Sequence, residues 1–216
     1  MKVLILSDFD GTITTKDTLV ELLDIYAYPK WHAIAGLVAR GKMGTRVALR
    51  KEFSLFYLPK NQYLSFLRKK IKIDPYFKSF VKFIRNKGAR LVILSGGFSL
   101  NISQTLKKYK LGKMLFYANK LLFKNGKFEI VYTHPGNGCR QCGNCKKDRL
   151  LQFKKKGYYI VYIGDSVTDH CPVREADLVF AKWNLEIYCR KRKIPYILYK
   201  NFNDIKNYLS KNLLTK

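Results

Sequence analysis

The sequence predicts an α/β protein in which helices cover both faces of a mainly parallel sheet, and three observations support this fold class. Short apolar segments of strand length alternate with helical segments through the second half of the chain. The first residues, Lys2 to Ser7, form an apolar segment that is typical of a buried parallel strand. Between about residues 17 and 72, apolar residues recur at spacings of three and four, which predicts four helices inserted after that strand.

The inserted helices have recognisable starts and breaks. A glycine turn, Asp10-Gly11-Thr12, follows the first strand directly. Thr18-Leu19-Val20-Glu21 then has the pattern of a capping box at the start of the first helix. Three breaks divide the segment into four helices: Pro29, the stretch 41–44 and Pro59.

The remainder of the chain predicts helices that alternate with strands. A helix from Tyr76 to Asn86 ends near Gly88 and leads into a strand from Arg90 to Leu94. Asn125-Gly126 lies between two alternating apolar segments and predicts a β-hairpin added to the core. Further strands are predicted at 115–117, 158–163, 178–180 and 195–199. The length of the chain predicts one domain, or one domain with a sizeable insertion, here a helical unit over 15–74 within a core over 1–14 and 75–216.

The composition is that of an ordinary globular protein. Hydrophobic residues make up 47% of the chain and charged residues 26%, which excludes a disordered or collagen-like class. The longest apolar stretches are far shorter than the roughly 20 residues that span a bilayer, so no membrane partner is expected. The first apolar stretch is also too short for a secretory signal, and we expect a cytoplasmic protein.

The charge of the chain is strongly positive. There are 42 Lys and Arg residues against 15 Asp and Glu residues, which gives a net charge of +27. A protein this basic is a candidate for nucleic-acid binding or nucleic-acid-end processing, which we keep as an alternative. The basic residues are spread along the chain without a recognisable nucleic-acid module, so we expect a solvated basic surface that attracts phosphorylated anions.

Polar residues stand where three of the predicted strands end. Asp8 to Thr12 follow the first strand, Ser95-Gly96-Gly97 follow the second, and Gly164 to Asp169 follow a later one. In parallel sheets, ligands bind at the carboxyl ends of the strands. One aspartate at a strand end is common turn chemistry, but three such loops in chain order predict a single functional site.

This set of motifs resembles that of the haloacid dehalogenase-like phosphohydrolases, in the branch of the phosphoserine phosphatases. That family carries an Asp-x-Asp-Gly-Thr loop, a Ser or Thr after a second strand, a lysine, and an acidic pair after a later strand. The resemblance covers essentially the whole chain and implies a Rossmann-like core with residues 15–74 as a helical cap. It implies a phosphatase of a small phosphorylated metabolite, most like the methionine-salvage group that acts on 2-hydroxy-3-keto-5-methylthiopentenyl phosphate, with phosphoserine phosphatase as the alternative.

The same resemblance implies a role for each loop residue. Asp8 would attack phosphorus to form an aspartyl-phosphate, and Asp10 would act as general acid and base. Mg²⁺ would be held by the Asp8 carboxylate, the backbone carbonyl of Asp10 and Asp165, while Asp169 would support the metal site indirectly. Phosphate would be bound by Ser95, Gly96 and a lysine.

Two lysines stand where the family's lysine is expected. Lys146 and Lys147 are neighbours in the chain, shortly before the acidic loop. Lys146 directly follows a cysteine in Cys142-Gly143-Asn144-Cys145-Lys146, a segment that resembles the methionine-salvage phosphatases. We therefore choose Lys146 and keep Lys147 as the alternative.

Three of the five cysteines have a spacing that suggests a metal site. Cys139, Cys142 and Cys145 form Cys-x2-Cys-x2-Cys, but a ferredoxin motif would need a fourth cysteine where Arg149 stands. A zinc site would have to recruit a residue from elsewhere in the chain. We interpret the segment as a structural loop and keep a metal-binding or redox module as a further alternative.

Two residues of the predicted cap are candidates for substrate binding. Asp17 lies nine residues after Asp8, where phosphoserine phosphatases carry a glutamate for the substrate amine, although it could also cap the first helix. Arg46 begins a segment that resembles the one whose first arginine binds the substrate carboxylate. Aromatic residues of the cap such as Trp31 and Phe53 are interpreted as core.

Overall fold

The computed structural model describes residues 2–124, 127–136 and 141–215. Its strands are β1 (Lys2–Ser7), β2 (Arg90–Phe98), β3 (Leu115–Lys124), β4 (Lys127–Val131), β5 (Tyr158–Gly164), β6 (Leu178–Ala181) and β7 (Ile197–Leu198). They form one sheet in the order β4-β3-β2-β1-β5-β6-β7. All neighbours are parallel except the antiparallel pair of β3 and β4. The predicted α/β fold with a mainly parallel sheet is confirmed.

Helices cover both faces of this sheet. The helices are α1 (Thr18–Tyr26), α2 (Trp31–Ala39), α3 (Thr45–Phe53), α4 (Lys60–Lys70), α5 (Phe77–Asn86), α6 (Ser99–Lys108), α7 (Lys146–Lys154), α8 (Trp183–Arg192) and α9 (Phe202–Asn212). Of these, α5, α6 and α9 pack on one face of the sheet, and α7 and α8 pack on the other. Two short 3₁₀ turns lie at Val167–Asp169 and Pro172–Arg174. Over the described part of the chain, no helix has the length and apolar character needed to cross a bilayer.

The central position of β1 follows from its apolar residues on both faces. Leu4 and Leu6 pack into the core on one side of the sheet, and Val3 and Ile5 pack into the core on the other side. A strand that is buried on both faces is most stable between two neighbours, and β1 pairs with β2 and β5. The carboxyl ends of these three strands therefore lie at one edge of the sheet.

The end of β2 differs from the prediction in a way that concerns the site. The strand was predicted to end at Leu94, but it continues to Phe98. Its pairing with β3 shifts register between Leu94 and Phe98. Ser95, Gly96 and Gly97 occupy this irregular stretch, because two successive glycines allow a main-chain path that departs from regular pairing.

The four predicted helices between the first two strands are confirmed as α1 to α4. The chain segments that enter and leave this insertion lie side by side, with a bridge between Thr14 and Ile73 and a 3.0 Å hydrogen bond from the Thr15 amide to the Lys72 carbonyl. This pairing supports our proposal that residues 15–74 form a separate helical cap domain on a core of residues 1–14 and 75–216.

The hairpin of β3 and β4 joins the sheet to the inserted helices. The predicted strand at 115–117 and the apolar segment before Asn125 belong to one continuous strand, β3. Phe123 pairs with Phe128 across the hairpin, so the predicted hairpin is confirmed. Its turn residues, Asn125 and Gly126, lie outside the described residues. Phe128 packs against Phe53 of α3 with ring centroids 5.2 Å apart. The hairpin therefore contributes to the core under the insertion as well as to the sheet edge.

The predicted capping box at Thr18 is wrong. The N-terminal cap of α1 is Asp17, whose carboxylate accepts hydrogen bonds from the amides of Leu19 (2.8 Å) and Val20 (3.1 Å). Thr18 is fully buried and its hydroxyl instead donates to the carboxylate of Asp10. Asp and Thr are both favoured at the N-cap position. Because the Thr18 hydroxyl is hydrogen-bonded to Asp10, Asp17 caps the helix.

The core under the insertion predicts the effect of a truncation. Phe53 is buried and contacts the rings of Phe98 and Phe128, so Phe53→Ala should lower the free energy of unfolding by about 3 kcal/mol. Urea unfolding would measure this change. Val47→Ala, on the exposed side of the same helix, is the control and should change it by less than about 1 kcal/mol. Equal effects of the two substitutions would contradict this packing.

Candidate active site

Asp8 is fixed at the centre of the carboxyl edge. Its backbone amide donates to the Ile163 carbonyl at 2.9 Å, which extends the pairing of β1 with β5 by one residue. One carboxylate oxygen accepts a hydrogen bond from the Phe9 amide, and the other lies 2.8 Å from Nζ of Lys146. Burial raises the pKa of Asp8, and the charge of Asp169 raises it further, although Lys146 opposes both effects. Asp8 is thus a buried carboxylate in a fixed orientation.

Lys146, and not its neighbour Lys147, lies at this cluster. Its Nζ is 2.8 Å from a carboxylate oxygen of Asp8 and 2.8 Å from one of Asp169, and its side chain is 2% exposed. Burial alone would lower the pKa of Lys146, but the charges of Asp169 and Asp8 raise it above its usual range, so the amine stays charged. Lys147 instead pairs with Glu175 at the surface.

Asp169 uses both of its carboxylate oxygens within the protein. Oδ1 accepts from Lys146 and from the Tyr162 hydroxyl at 2.7 Å, and Oδ2 accepts from the amides of Asp165 (3.0 Å) and Ser166 (3.1 Å). Burial would raise the pKa of Asp169, yet the charge and hydrogen bond of Lys146 outweigh burial and lower it. These contacts shape the loop that carries Asp165.

Two glycines, Gly164 and Gly11, leave room for carboxylates of the site. A Cβ atom at Gly164 would lie 2.5 Å from Asp169, and one at Gly11 would lie 2.5 Å from Asp165. Gly11 also has a φ of +75°, a backbone conformation that other residues adopt at a cost. The two glycines therefore allow the strand ends to approach the carboxylates. The Thr12 hydroxyl, next to Gly11 in the chain, donates a hydrogen bond to the Asp165 carboxylate.

Three carboxylates form a group that could hold a metal ion. Ligand oxygens of Asp8, Asp165 and Asp169 lie within 4.8 Å of one another, and all three residues are buried. Burial, together with the charge of Asp169, raises the pKa of Asp165 to about 7. The donors are all oxygen, which fits a hard cation, and a bound cation would offset the mutual repulsion of the carboxylates. Lys146 contacts two of the three carboxylates but supplies only one positive charge. Further positive charge is therefore electrostatically favourable at this site.

Asp10 faces a chain of polar side chains that crosses into the insertion. Its carboxylate accepts hydrogen bonds from the Thr18 hydroxyl and, at 3.2 Å, from the Ser95 hydroxyl. Thr18 in turn accepts from Asn101, and Asn101 accepts from Tyr63 of α4. Burial, with a contribution from the charge of Asp17, raises the pKa of Asp10 to about 7. The contacts of Thr18, Asn101 and Tyr63 with this site were not predicted.

The segment from Ser95 to Gly97 is held by two asparagines that sequence reasoning missed. The side-chain amide of Asn119 donates to the Gly96 carbonyl at 2.8 Å, and that of Asn144 donates to the Ser95 carbonyl at 2.9 Å. A Cβ atom at Gly97 would lie 2.6 Å from Asp10, so glycine allows the main chain to approach the carboxylate. Asn119 and Asn144 come from later segments of the chain, so no local pattern pointed to them.

A cavity of about 340 Å³ extends from Asp8 and Asp10 and is lined by three of the inserted helices. We call it the apolar cavity. Most of its lining on α1, α2 and α3 is apolar: Leu19, Val20, Leu23, Trp31, Ala35, Val38, Ala39, Ala48 and Leu49. Asp17, which also caps α1, lies in the lining, and so does Glu52.

Arg46 is not brought to this cavity. Its guanidinium lies over the ring of Tyr132, 4.8 Å from the centroid, and its backbone is bonded to Gln141 and to the Tyr132 hydroxyl. Trp31, interpreted as core from the sequence, lines the cavity although only 8% of its surface is exposed. Helical periodicity does not separate a buried core residue from one that faces an enclosed cavity.

The cysteine segment contributes Lys146 to the site. Cys145 precedes α7 and is buried, and Cys142 is half-buried. Cys139 lies outside the described residues. In the described part of the chain, the metal-ligand group contains carboxylates and no cysteine.

Comparison with known proteins gives a consistent result. The haloacid dehalogenase-like hydrolase family model matches residues 5–172, which is more than half of the chain. The chain belongs to the haloacid dehalogenase-like hydrolase family. It is accordingly a hydrolase with the α/β fold expected from the sequence.

Several relatives are similar along the chain. The 2-hydroxy-3-keto-5-methylthiopentenyl-1-phosphate phosphatase of Geobacillus thermodenitrificans is 30% identical over 94% of this chain and 94% of its own. The bifunctional enzyme MtnB/MtnX of Bacillus licheniformis is 30% identical over the whole of this chain, which spans 51% of that enzyme. A solved structure described as a phospho-aspartyl intermediate analogue of phosphoserine phosphatase is 25% identical, with a TM-score of 0.74 over 96% of this chain and 98% of that one.

The asparagine contacts predict a specific defect in anion binding. Asn119→Ala removes the hydrogen bond to the Gly96 carbonyl and frees the segment that follows β2. We expect the inhibition constant of inorganic phosphate to rise about tenfold, the equivalent of one lost hydrogen bond to a buried group. Phosphate inhibition of ester hydrolysis would measure it.

Asn212→Ala is the matched control, because Asn212 makes the same kind of bond to a backbone carbonyl on the exposed side of α9. It should leave the inhibition constant unchanged. If both substitutions affect phosphate inhibition equally, Asn119 does not position the segment for anion binding.

Proposed function

We propose that this hydrolase is a magnesium-dependent phosphomonoesterase that hydrolyses a small phosphorylated metabolite through an aspartyl-phosphate on Asp8. The observation that carries the proposal is the pair of contacts that Lys146 makes, at 2.8 Å each, with Asp8 and Asp169. A carboxylate can attack a phosphate dianion only where positive charge offsets their repulsion. Lys146 supplies such charge at Asp8.

In the first step, an oxygen of Asp8 attacks phosphorus and the bond from phosphorus to the ester oxygen breaks. Asp10 donates a proton to that leaving oxygen, which departs as an alcohol. Both residues line the apolar cavity, which supports this pairing. Ser95, the Gly96 amide and Lys146 would hold the remaining phosphoryl oxygens while the groups stand in line.

In the second step, Asp10 takes a proton from a water molecule that attacks phosphorus. The bond between phosphorus and the Asp8 oxygen breaks, which restores the carboxylate and releases inorganic phosphate. The hydrogen bonds from Thr18 and Ser95 hold the Asp10 carboxylate in place. A fixed orientation is needed because the same group acts first as an acid and then as a base.

The carboxylates of Asp8 and Asp165 and the backbone carbonyl of Asp10 would hold the metal ion. The chemistry that Mg²⁺ supplies when bound is neutralisation of the negative charge on the phosphoryl group and the carboxylates. Asp169 would act through the loop and Lys146, since its oxygens are already hydrogen-bonded.

As substrate we propose 2-hydroxy-3-keto-5-methylthiopentenyl-1-phosphate. The names of curated relatives at about 30% identity support this choice. The apolar lining of the cavity supports it as well, because a thioether tail is apolar. Phosphoserine is the second candidate, which the position of Asp17 in the cavity favours through the substrate amine.

The test is phosphate release from a panel of small esters that includes the methylthiopentenyl phosphate and phosphoserine, with magnesium or with EDTA. We expect release that requires magnesium and is fastest with the methylthiopentenyl ester. Asp8→Asn should lower kcat by at least about 10³-fold, because an amide oxygen is a poor nucleophile, while the thermal unfolding temperature stays close to that of the native protein.

Asp204→Asn is the control, because this substitution makes the same charge change at the start of α9, outside the site. It should retain native turnover. Turnover of Asp8→Asn near the native rate would contradict the covalent mechanism, and release in EDTA equal to that in magnesium would contradict the metal requirement.

A further inference from the structure

The apolar cavity extends well beyond the space that a phosphate group needs. Its volume of about 340 Å³ is in the range of small-molecule sites, and residues of α1, α2 and α3 line it together with Asp8 and Asp10. Leu23 and Leu49 are almost fully buried within this lining. The surface offered to the substrate tail is therefore mainly hydrocarbon.

Trp31 reinforces this apolar character. Its indole N–H donates to Asp24 at 3.0 Å, and its ring stacks on His32 with centroids 4.3 Å apart. Because the one polar atom of the indole is used and the adjacent imidazole covers part of the ring, Trp31 presents carbon atoms to the cavity. The ring is thus a fixed wall for an apolar group.

The charged side chains in the lining are all acidic. Asp17 and Glu52 lie in it together with the catalytic aspartates, and the described residues of the lining include no lysine, arginine or histidine. Arg46, the residue expected to bind a substrate carboxylate, is held at Tyr132. A substrate that carries a carboxylate would therefore meet like charge without a compensating cation.

Glu52 differs from Asp17 in its partners. The carboxylate of Asp17 accepts two amide hydrogen bonds at the start of α1. That of Glu52 makes no hydrogen bond or ion pair with any residue in the described ranges, and burial, with a contribution from Asp17, raises its pKa to about 7. A polar group in this position has hydrogen-bonding capacity left for a ligand.

We propose that the apolar cavity binds the uncharged, largely apolar tail of a phosphate ester, that this tail carries a hydroxyl group, and that Glu52 accepts a hydrogen bond from this hydroxyl and repels esters whose tail carries a carboxylate. This inference rests on the proposed function and deepens it, since it selects a substrate class. It assigns specificity to Glu52, a residue that no motif of the sequence singled out.

The experiment compares kcat/KM for propyl, butyl and pentyl phosphate, 5-hydroxypentyl phosphate, phosphoserine and phosphoethanolamine, with magnesium present. For the native protein, kcat/KM should rise about threefold with each added methylene, and phosphoserine should be the poorest substrate. At pH 8.5, above the pKa of Glu52 and therefore with its carboxylate charged, Glu52→Gln should raise the ratio of phosphoserine to pentyl phosphate about tenfold, because one repulsive charge is lost.

Two further variants complete the comparison. Glu129→Gln, on the exposed strand β4, makes the same chemical change outside the cavity and should leave every ratio unchanged. Ala48→Leu should reduce kcat/KM for pentyl phosphate more than for propyl phosphate, because it fills the space for the tail. Thermal unfolding of each variant checks that it is folded.

Three results would overturn the inference: kcat/KM that does not depend on chain length, phosphoserine or phosphoethanolamine as the best substrate, or the same response from Glu52→Gln and Glu129→Gln.

If the native protein hydrolyses no ester, the proposed function fails, and calorimetry with phosphonates tests the inference by itself. Tighter binding of pentylphosphonate than of propylphosphonate and 2-amino-4-phosphonobutyrate would support it, and equal or reversed affinities would overturn it.

Discussion

The burial of four carboxylates at one edge of the sheet, two of them bridged by Lys146, is the constraint on which the rest of this structure depends. Moving a charged group out of water costs several kcal/mol unless a partner offsets it. Lys146 bridges Asp8 and Asp169, and hydroxyl groups donate hydrogen bonds to the carboxylates of Asp10 and Asp165. The cluster still has excess negative charge, which a bound divalent cation would reduce.

The sheet order provides the geometry that this cluster requires. Because β1 lies between β2 and β5, the loops after these three strands meet at one edge. The insertion follows β1 directly, so its first helix begins within hydrogen-bonding reach of Asp10 through Thr18. The same helix lines the apolar cavity. In the proposed function, chemistry and substrate selection are therefore supplied by neighbouring segments of the chain, the loop after β1 and helix α1.

The sequence was sufficient to predict Asp8, Asp10, Ser95 and Asp165 as neighbours, because parallel strand ends meet at a common edge. Choosing Lys146 over Lys147 relied on family resemblance, and the structure brings Lys146 to Asp8. Asn119 was not predicted, since it reaches the Gly96 carbonyl from another strand through sheet register. The position of Arg46 depends on Tyr132, far away in the chain, so local pattern could not reveal it.

Rapid-quench mass spectrometry can detect a covalent bond between Asp8 and phosphorus directly. Native protein mixed with substrate and magnesium would be quenched in acid within one turnover and digested. The account predicts a peptide containing Asp8 that is heavier by one phosphoryl group and that disappears as phosphate is released. A phosphoryl group on a peptide that lacks Asp8 would contradict the account. Release of phosphate in a single turnover without any phosphorylated peptide, under conditions that preserve acyl phosphates, would contradict it as well.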